Sequence, residues 1–322
     1  MLDAALFHRY RSVPDPLWLA VGGRLFDVQQ RWSGTEVVVD GLDRLPAEPV
    51  ILATNASHRY DWLALRCDLR RRGIPVVSIA KGKYFQQATM SLALGKVGVV
   101  PIVSRGYVIV VDFLAVHARR PDEAEYRAIR AHVDEDTPLP SGAVFDGLAT
   151  RDRLLLGLPF RPAEERYRSA IHRVYEHCMQ ETTRLARLAV QQRHHVHIYP
   201  EGTVSSRLAD GRRGTVQFAR ALGIPILPVG MSGCREAFRS SGSIRMRGGR
   251  IVLRFGEVWR DADAELPRDF RPFDPAHEQQ FGPALDRATA SLMERLDTLV
   301  APEYRRVPGG GTDGTSGVAR FL

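Results

Sequence analysis

The chain has 322 residues, of which 44% are hydrophobic, and this is enough for one large domain or two ordinary ones with a sizeable core. Lys and Arg outnumber Asp and Glu by 45 to 37, and the resulting net charge of +8 favours an anionic partner. No zinc-finger, recognition-helix or RNP-like signature accompanies the charge, so a membrane surface or a phosphate is favoured over nucleic acid. No apolar run approaches the ~18 residues of a membrane-spanning helix, so none is expected.

The three cysteines, Cys67, Cys178 and Cys234, lie too far apart for a zinc-knuckle spacing. Their odd number predicts reduced thiols and a cytoplasmic location, and the N-terminus lacks the continuous apolar core of a signal peptide. His195 and His197 would share one face of a strand, yet no acidic third ligand lies at a suggestive spacing. No metal site is therefore predicted.

Residues 1–35 form an amphipathic region in which aromatic and aliphatic residues alternate with arginines. Pro14 and Pro16 divide it, so two short amphipathic helices are expected. Two interpretations stay open: the region packs on the core of the domain, or it lies in a membrane interface, where aromatic and basic residues occur together.

Residues 36–305 alternate strand patterns with helical ones, which predicts an α/β fold. We expect a single domain with a mostly parallel, mixed central sheet flanked by helices. The predicted strands are 36–40, 50–54, 75–80, 97–103, 196–199, 224–229 and 250–255, and the predicted helices are 61–72, 123–132, about 167–189, 216–222 and 281–299. The glycine-rich stretch 306–322 is predicted to be a flexible tail.

The segment Asn55–Asp61 directly follows a buried apolar strand and contains His58 and Asp61. A histidine beside a carboxylate is the minimum needed to deprotonate a hydroxyl at neutral pH, because the imidazole takes the proton and the carboxylate fixes its tautomer. Positions three apart at a helix start share a face, so the two side chains could meet. Asp61 could instead cap the helix that follows.

Three further segments accompany this pair in order: Gly98–Arg105, Tyr199–Thr203 and Ile224–Val229. With these four blocks the chain, from about Glu36 to Glu257, resembles the glycerolipid acyltransferases of the 1-acylglycerol-3-phosphate acyltransferase type. The resemblance implies that His58 deprotonates the acceptor hydroxyl, which attacks an acyl thioester without a covalent acyl-enzyme. The absence of a Gly-x-Ser-x-Gly nucleophile elbow agrees with this direct transfer.

The resemblance also implies a site for the acceptor's phosphate, formed by Arg105 and the loop Glu201-Gly202-Thr203. Arginine offers a bidentate fork, and Gly202 allows backbone N–H groups to approach an anion. Glu201 cannot bind phosphate, so it is expected to orient Arg105 or the loop. Asn55 is placed among the substrate-binding residues, although it could instead order the loop that carries His58.

This chain departs from the family pattern in three places. Two residues, not four, separate His58 from Asp61; Tyr199 replaces a phenylalanine; and an insertion near 106–162 lengthens the chain between Arg105 and Tyr199. The insertion leaves open an acyltransferase for a non-glycerophosphate lipid. The short spacing leaves open a catalytically impaired lipid-surface binding protein.

The sequence thus predicts a cytoplasmic O-acyltransferase that lies peripherally on the membrane. Its predicted partners are an acyl thioester donor (acyl-CoA or acyl carrier protein), a lysophospholipid acceptor and the membrane surface, with no nucleic acid. No cofactor is predicted, since the thioester is a co-substrate.

Overall fold

A computed structural model of the protein describes residues 7, 10, 13–240, 242–307 and 317–321. The first of the two helices predicted for the N-terminal region therefore falls mostly outside the described residues. Most of the predicted flexible tail, 308–316 and 322, lies outside them as well.

The central sheet has seven strands in the order β1-β9-β8-β2-β7-β3-β4. All neighbouring pairs are parallel except β8 and β9, which confirms the predicted α/β fold with a mostly parallel, mixed sheet. A separate antiparallel pair is formed by β5 and β6. The strands are β1 Thr35–Asp40, β2 Ile51–Thr54, β3 Val76–Lys81, β4 Val99–Ile102, β5 Arg153–Leu155, β6 Leu158–Phe160, β7 His195–Ile198, β8 Ile226–Ser232 and β9 Gly249–Phe255.

Helices follow most strands and cover the sheet. They are α1 Pro16–Ser33, α2 Asp61–Arg71, α3 Ala88–Lys96, α4 Arg105–His117, α5 Glu123–Glu135, α6 Ala143–Thr150, α7 Tyr167–Gln191, α8 Gly214–Leu222, α9 Cys234–Ala237, α10 Pro275–Gln280 and α11 Gly282–Leu299. The elements that the sequence did not predict are concentrated between β4 and α7, where α4, α6 and the β5–β6 hairpin form the inserted region.

The middle strands read as continuous apolar runs because both of their faces are buried. In β2, Ile51 and Ala53 belong to one hydrophobic cluster, whereas Leu52 belongs to a second cluster that also contains Leu65 of α2. Successive side chains of a strand point to opposite faces, so the two clusters are the two layers of core on either side of the sheet.

The inner strand β7 carries two buried histidines. His197 is fully buried, and its ring nitrogens contact the hydroxyl groups of Thr54 on β2 (2.7 Å) and Ser78 on β3 (3.1 Å). Burial lowers the pKa of His197 to about 3 and, together with His194, lowers that of His195 to about 4. Both rings are therefore neutral near pH 7, and that of His197 ties three strands together.

The inserted region is fastened to α7 by a buried ionic contact. Arg153 of the hairpin donates two hydrogen bonds, of 2.7 and 2.8 Å, to the carboxylate of Asp112 on α4. The hydroxyl of Tyr167 donates to the same carboxylate at 2.9 Å. Such a paired, bidentate contact satisfies a carboxylate that would otherwise be costly to bury.

One long helix, α1, stands where the sequence predicted the second of two short ones. Asp15 caps its start and Gly34 its end, and Phe26 packs into the core beside α2 while Asp27 pairs with Arg70. The opposite face exposes a continuous apolar stripe, which we call the α1 stripe: Leu17, Trp18, Val21, Leu25, Val28 and Trp32. In the part of the chain that the structure describes, no helix has the length and apolar character needed to span a bilayer.

Candidate active site

Three parallel strands deliver the predicted site residues to one edge of the sheet. Strand β7 lies between β2 and β3, with Leu52 beside His197 and His197 beside Ser78. The residues after β2, β7 and β3 therefore emerge side by side, over a span of about 10 Å at ordinary strand spacing. In open parallel sheets, this crevice at the carboxyl ends of strands is where ligands bind.

The carboxylate of Glu201 joins the loops that follow β2 and β7. It is buried, with one oxygen accepting from the backbone N–H of Ala56 at 2.7 Å and the other from that of Ala209 at 2.8 Å. Glu201 was expected to orient either Arg105 or the loop, and its hydrogen bonds show that it orders the loop.

Asn55 connects the His58 loop to β8. Its amide nitrogen donates to the carbonyl oxygen of Met231 at 2.9 Å, and its side-chain oxygen accepts from the Met231 N–H at 2.7 Å. The side chain is buried and both of its polar groups are occupied. The structure thus places Asn55 where it orders the loop, not where its amide would face a substrate.

The ring of His58 lies beneath the surface, with only 3% of the residue exposed. It stacks on Phe238 with ring centroids 4.3 Å apart, and Nδ1 accepts from the backbone N–H of Tyr60 at 3.2 Å. That contact assigns the proton of the neutral ring to Nε2, which donates to the carbonyl oxygen of Ser240 at 2.8 Å. Burial lowers the pKa of His58, so the neutral form prevails at pH 7.

Asp61 is the first residue of α2, and its carboxylate binds the backbone N–H of His58 instead of the ring. One carboxylate oxygen accepts from the N–H groups of Ser57 (2.9 Å) and His58 (3.1 Å), and the other accepts from the hydroxyl of Tyr199. No hydrogen bond joins the carboxylate to the His58 ring among the described residues. The predicted relay contact is therefore absent, because α2 starts too soon after His58 and the carboxylate caps its own loop.

Tyr199 explains why the carboxylate stays in this place. The family phenylalanine at this position has no hydroxyl group, whereas Tyr199 supplies a donor to Asp61. Burial raises the pKa of Asp61 to about 6, although the bonds from Tyr199 and from the backbone N–H groups oppose the rise. From the sequence this replacement is only one of three departures from the family pattern, whereas the structure shows that the added oxygen holds the Asp61 carboxylate.

Arg105 lies at the first turn of α4, where its charge is already balanced. Its guanidinium group pairs with Asp134 at 3.4 Å and with Glu278 at 3.1 Å, and its Cζ lies 5.3 Å from the centroid of the Tyr175 ring. A phosphate at Arg105 would have to compete with two carboxylates. The described geometry therefore does not present Arg105 as a free anion-binding group.

Lys81, which the sequence analysis missed, ends β3 at the same edge. Its ammonium group donates to the hydroxyl of Thr203 at 3.2 Å. Burial, followed by the charges of Lys83, Arg320 and Arg212, lowers the pKa of Lys81 to about 8. The sequence contained a signal for this residue, because Lys81 is the last residue of a strand that runs parallel to the strand before His58.

The turn after β7 brings Thr203 to this lysine. Gly202 adopts a φ of 63°, a conformation that costs glycine little and other residues more. Thr203 therefore lies beside Lys81 at the crevice, whereas Glu201 points into the protein.

Replacing Tyr199 by phenylalanine should destabilise the fold in a pH-dependent way. The pKa of Asp61 is raised on folding from 3.8 to about 6, so its contribution to stability is present below pH 4 and lost as the pH rises through 6. Removing the donor raises that pKa further and enlarges the loss. We expect Tyr199→Phe to cost about 2 kcal/mol in the free energy of unfolding at pH 8, and less at pH 5.

Urea unfolding at both pH values measures this difference. The control is Tyr60→Phe, a neighbouring tyrosine whose hydroxyl has no hydrogen bond within the described chain. An equal cost for Tyr199→Phe at both pH values would contradict the proposed coupling.

Comparison with known proteins finds a family similarity over part of the chain. Residues 154–232 match the family model described as Acyltransferase, a range that includes Tyr199–Thr203 and Ile224–Val229 but not His58 or Arg105. Among solved structures, the 1-acyl-sn-glycerophosphate acyltransferase PlsC of Thermotoga maritima aligns over 84% of this chain and 80% of its own, with 14% identity and a TM-score of 0.42. No curated protein sequence matches the chain. The family match confirms the acyltransferase resemblance over the part of the chain that carries two of its four sequence blocks.

Proposed function

We propose that this protein transfers a fatty acyl group from acyl-CoA or acyl carrier protein to the hydroxyl of a lysophospholipid similar to 1-acylglycerol-3-phosphate. The observation that carries the proposal is the arrangement of His58, the Gly202-Thr203 turn and Lys81 at the ends of three adjacent parallel strands. The proposed base and a cation thereby follow neighbouring strands at one edge of the sheet. An acceptor that has both a hydroxyl and a phosphate matches this pair of groups.

In the proposed reaction, His58 acts as the general base. Its Nε2 takes the proton of the acceptor hydroxyl while the oxygen attacks the thioester carbonyl carbon. The carbon–sulfur bond then breaks, and the thiolate leaves and takes up a proton. The lowered pKa of His58 suits this role, because a base must be unprotonated at the working pH.

The described state must change locally before this reaction occurs. Nε2 carries the proton and donates it to Ser240, so it has no lone pair for a hydroxyl. Catalysis requires that the Ser240 carbonyl and the Tyr60 N–H both move away from the ring and that the ring proton moves to Nδ1, because Nδ1 cannot carry the proton while it accepts from Tyr60. Ser240 is exposed, and an exposed segment can move without opening the core.

Substitution of the proposed base is the direct test. We expect His58→Ala to lower the rate of acyl transfer to lysophosphatidic acid by about 10²- to 10⁴-fold, the usual contribution of a general base. The assay uses purified full-length protein and radiolabelled acyl-CoA. As a control, His194→Ala alters a histidine at the opposite edge of the sheet, just before β7, and should retain activity. Wild-type rates in His58→Ala would remove His58 from the mechanism.

The phosphate of the acceptor is proposed to bind at Lys81 and Thr203. The ammonium group of Lys81 already donates to the Thr203 hydroxyl, and the charges of Lys83, Arg320 and Arg212 act on it. Like charges gathered around a partly buried lysine raise the free energy of the empty pocket. A bound dianion would relieve that repulsion.

Replacement of Lys81 should reduce discrimination between acceptors. We expect Lys81→Ala to raise the KM for lysophosphatidic acid about tenfold or more, because a charge-assisted hydrogen bond is lost. The measurement is the ratio of kcat/KM for lysophosphatidic acid to that for monoacylglycerol, which lacks the phosphate. Lys96→Ala, which removes a lysine paired with Asp15, is the matched control. An unchanged ratio in Lys81→Ala would exclude the pocket.

Contact with a lipid surface is proposed to occur through the α1 stripe. Its two tryptophans and four aliphatic residues form one face of a helix whose other face packs on α2. A continuous exposed apolar face with interfacial aromatics is typical of helices that lie in a membrane interface. The net positive charge adds attraction to anionic lipids.

Vesicle binding tests this surface. Sedimentation with vesicles of phosphatidylcholine and phosphatidylglycerol in equal parts should show binding by the wild type. The double variant Leu25→Asp/Trp32→Asp should bind at least about tenfold more weakly, since each side chain loses 1.5–3 kcal/mol of burial. Leu154→Asp, in an exposed leucine of the β5–β6 hairpin, is the control. Equal binding by both variants would rule out the α1 stripe.

A second candidate function follows from the occupied state of His58. Both ring nitrogens are hydrogen-bonded, and the Asp61 carboxylate is bound elsewhere, so the described geometry also suits a lipid-surface binding protein with impaired catalysis. The inserted region favours a third, an acyltransferase for a non-glycerophosphate lipid. The same acyl-transfer assay distinguishes the three: no transfer to any acceptor supports the second, and transfer only to phosphate-free acceptors supports the third.

A further inference from the structure

A short segment, Gly317–Phe321, packs beside the candidate site although it lies far away in the sequence. Val318 and Phe321 are buried, and the Phe321 ring lies 5.5 Å from that of Tyr126 on α5. The backbone N–H of Val318 donates to the carboxylate of Glu123 at 2.8 Å. We call this segment the docked segment.

Two glycines make room for the docked segment. A Cβ atom at Gly106 of α4 would lie 2.3 Å from the Phe321 ring, and one at Gly317 would lie 1.9 Å from the Glu123 carboxylate. Gly317 also has a φ of 58°, which other residues adopt at a cost. A side chain at Gly106 of α4 or at Gly317 of the docked segment would prevent this packing, so the contact is specific.

The docking also places the docked segment close to Lys81. Strands β3 and β4 pair with Lys81 beside Ile102, and the chain continues from Ile102 directly to Gly106, against which Phe321 packs. Arg320 immediately precedes Phe321. Its charge is among those that act on Lys81, along with Lys83 and Arg212.

Arg320 has donor capacity that the protein does not use. Its Nε is buried and has no hydrogen-bond partner in the described chain, and its Cζ lies 4.6 Å from the centroid of the Phe321 ring. A buried guanidinium nitrogen without an acceptor is costly, and cations placed together repel. An oxyanion between Arg320 and Lys81 would satisfy both groups.

We propose that the docked segment completes the phosphate site, with Arg320 as a further binding residue for the phosphate of the acceptor. The inference rests on the proposed function, because it adds a second cation to the Lys81–Thr203 pocket. The segment would make phosphate recognition depend on residues outside the four sequence blocks. Burial of Val318 and Phe321 offsets the repulsion of placing Arg320 beside other cations.

The first test measures the binding of inorganic phosphate to the full chain by calorimetry. We expect Arg320→Ala to weaken binding about tenfold, as for loss of one charge-assisted hydrogen bond, and Arg320→Lys to restore part of it. Phe321→Ala, which undocks the segment without removing a charge, should weaken binding similarly. Arg187→Ala removes an arginine on α7 that bonds to Ala221, outside the site, and is the control.

The second test is kinetic and identifies the source of the phosphate. Arg320→Ala should raise the KM for lysophosphatidic acid about tenfold and leave the KM for acyl-CoA at the wild-type value, whereas a change in the acyl-CoA KM alone would assign the site to the donor and overturn the proposal. Wild-type phosphate affinity in both Arg320→Ala and Phe321→Ala would also overturn it. If the wild type binds phosphate through Arg320 but transfers no acyl group, the proposed function fails while the site stands.

Discussion

The buried carboxylate of Glu201 is the contact on which the arrangement of the site depends. It accepts hydrogen bonds from the loop after β2 and from the chain beyond β7, so two segments that are distant in the sequence share one acid. Removing it would leave two buried N–H groups unsatisfied, and such groups are expensive. The turn that presents Gly202 and Thr203 to Lys81 is thereby held in register with the loop that presents His58.

A second constraint ties the base to the same frame. The buried carboxylate of Asp61 accepts from Tyr199 and from the backbone of the His58 loop, while the Ser240 carbonyl accepts from the ring. The two departures from the family pattern act together: the shortened spacing turns the carboxylate to the backbone, and the added hydroxyl keeps it there. His58 is consequently oriented by Tyr60, Phe238 and Ser240 instead of by a carboxylate.

The sequence predicted the inner strands of the sheet well because they are short apolar runs buried on both faces, and such runs are visible without coordinates. It also identified the loops after β2 and β7, since the carboxyl ends of parallel strands meet at one edge. It could not predict that the Tyr199 hydroxyl would donate a hydrogen bond to the Asp61 carboxylate, because the two residues are far apart in the sequence. For the same reason it placed the phosphate at Arg105, whose partners Asp134 and Glu278 lie on distant helices, and it missed Lys81 and Arg320.

The neutral histidines of β7 set a limit on the acidity in which this protein can work. The folded strand holds the pKa of His197 at about 3 and that of His195 at about 4, whereas an unfolded chain takes up protons near the ordinary value of 6.5. The contribution of these two histidines to stability is therefore full above pH 6.5 and is lost as the pH falls toward 3, because acid favours the unfolded state, which binds more protons. The strand that leads to Glu201 thus makes the fold sensitive to acid.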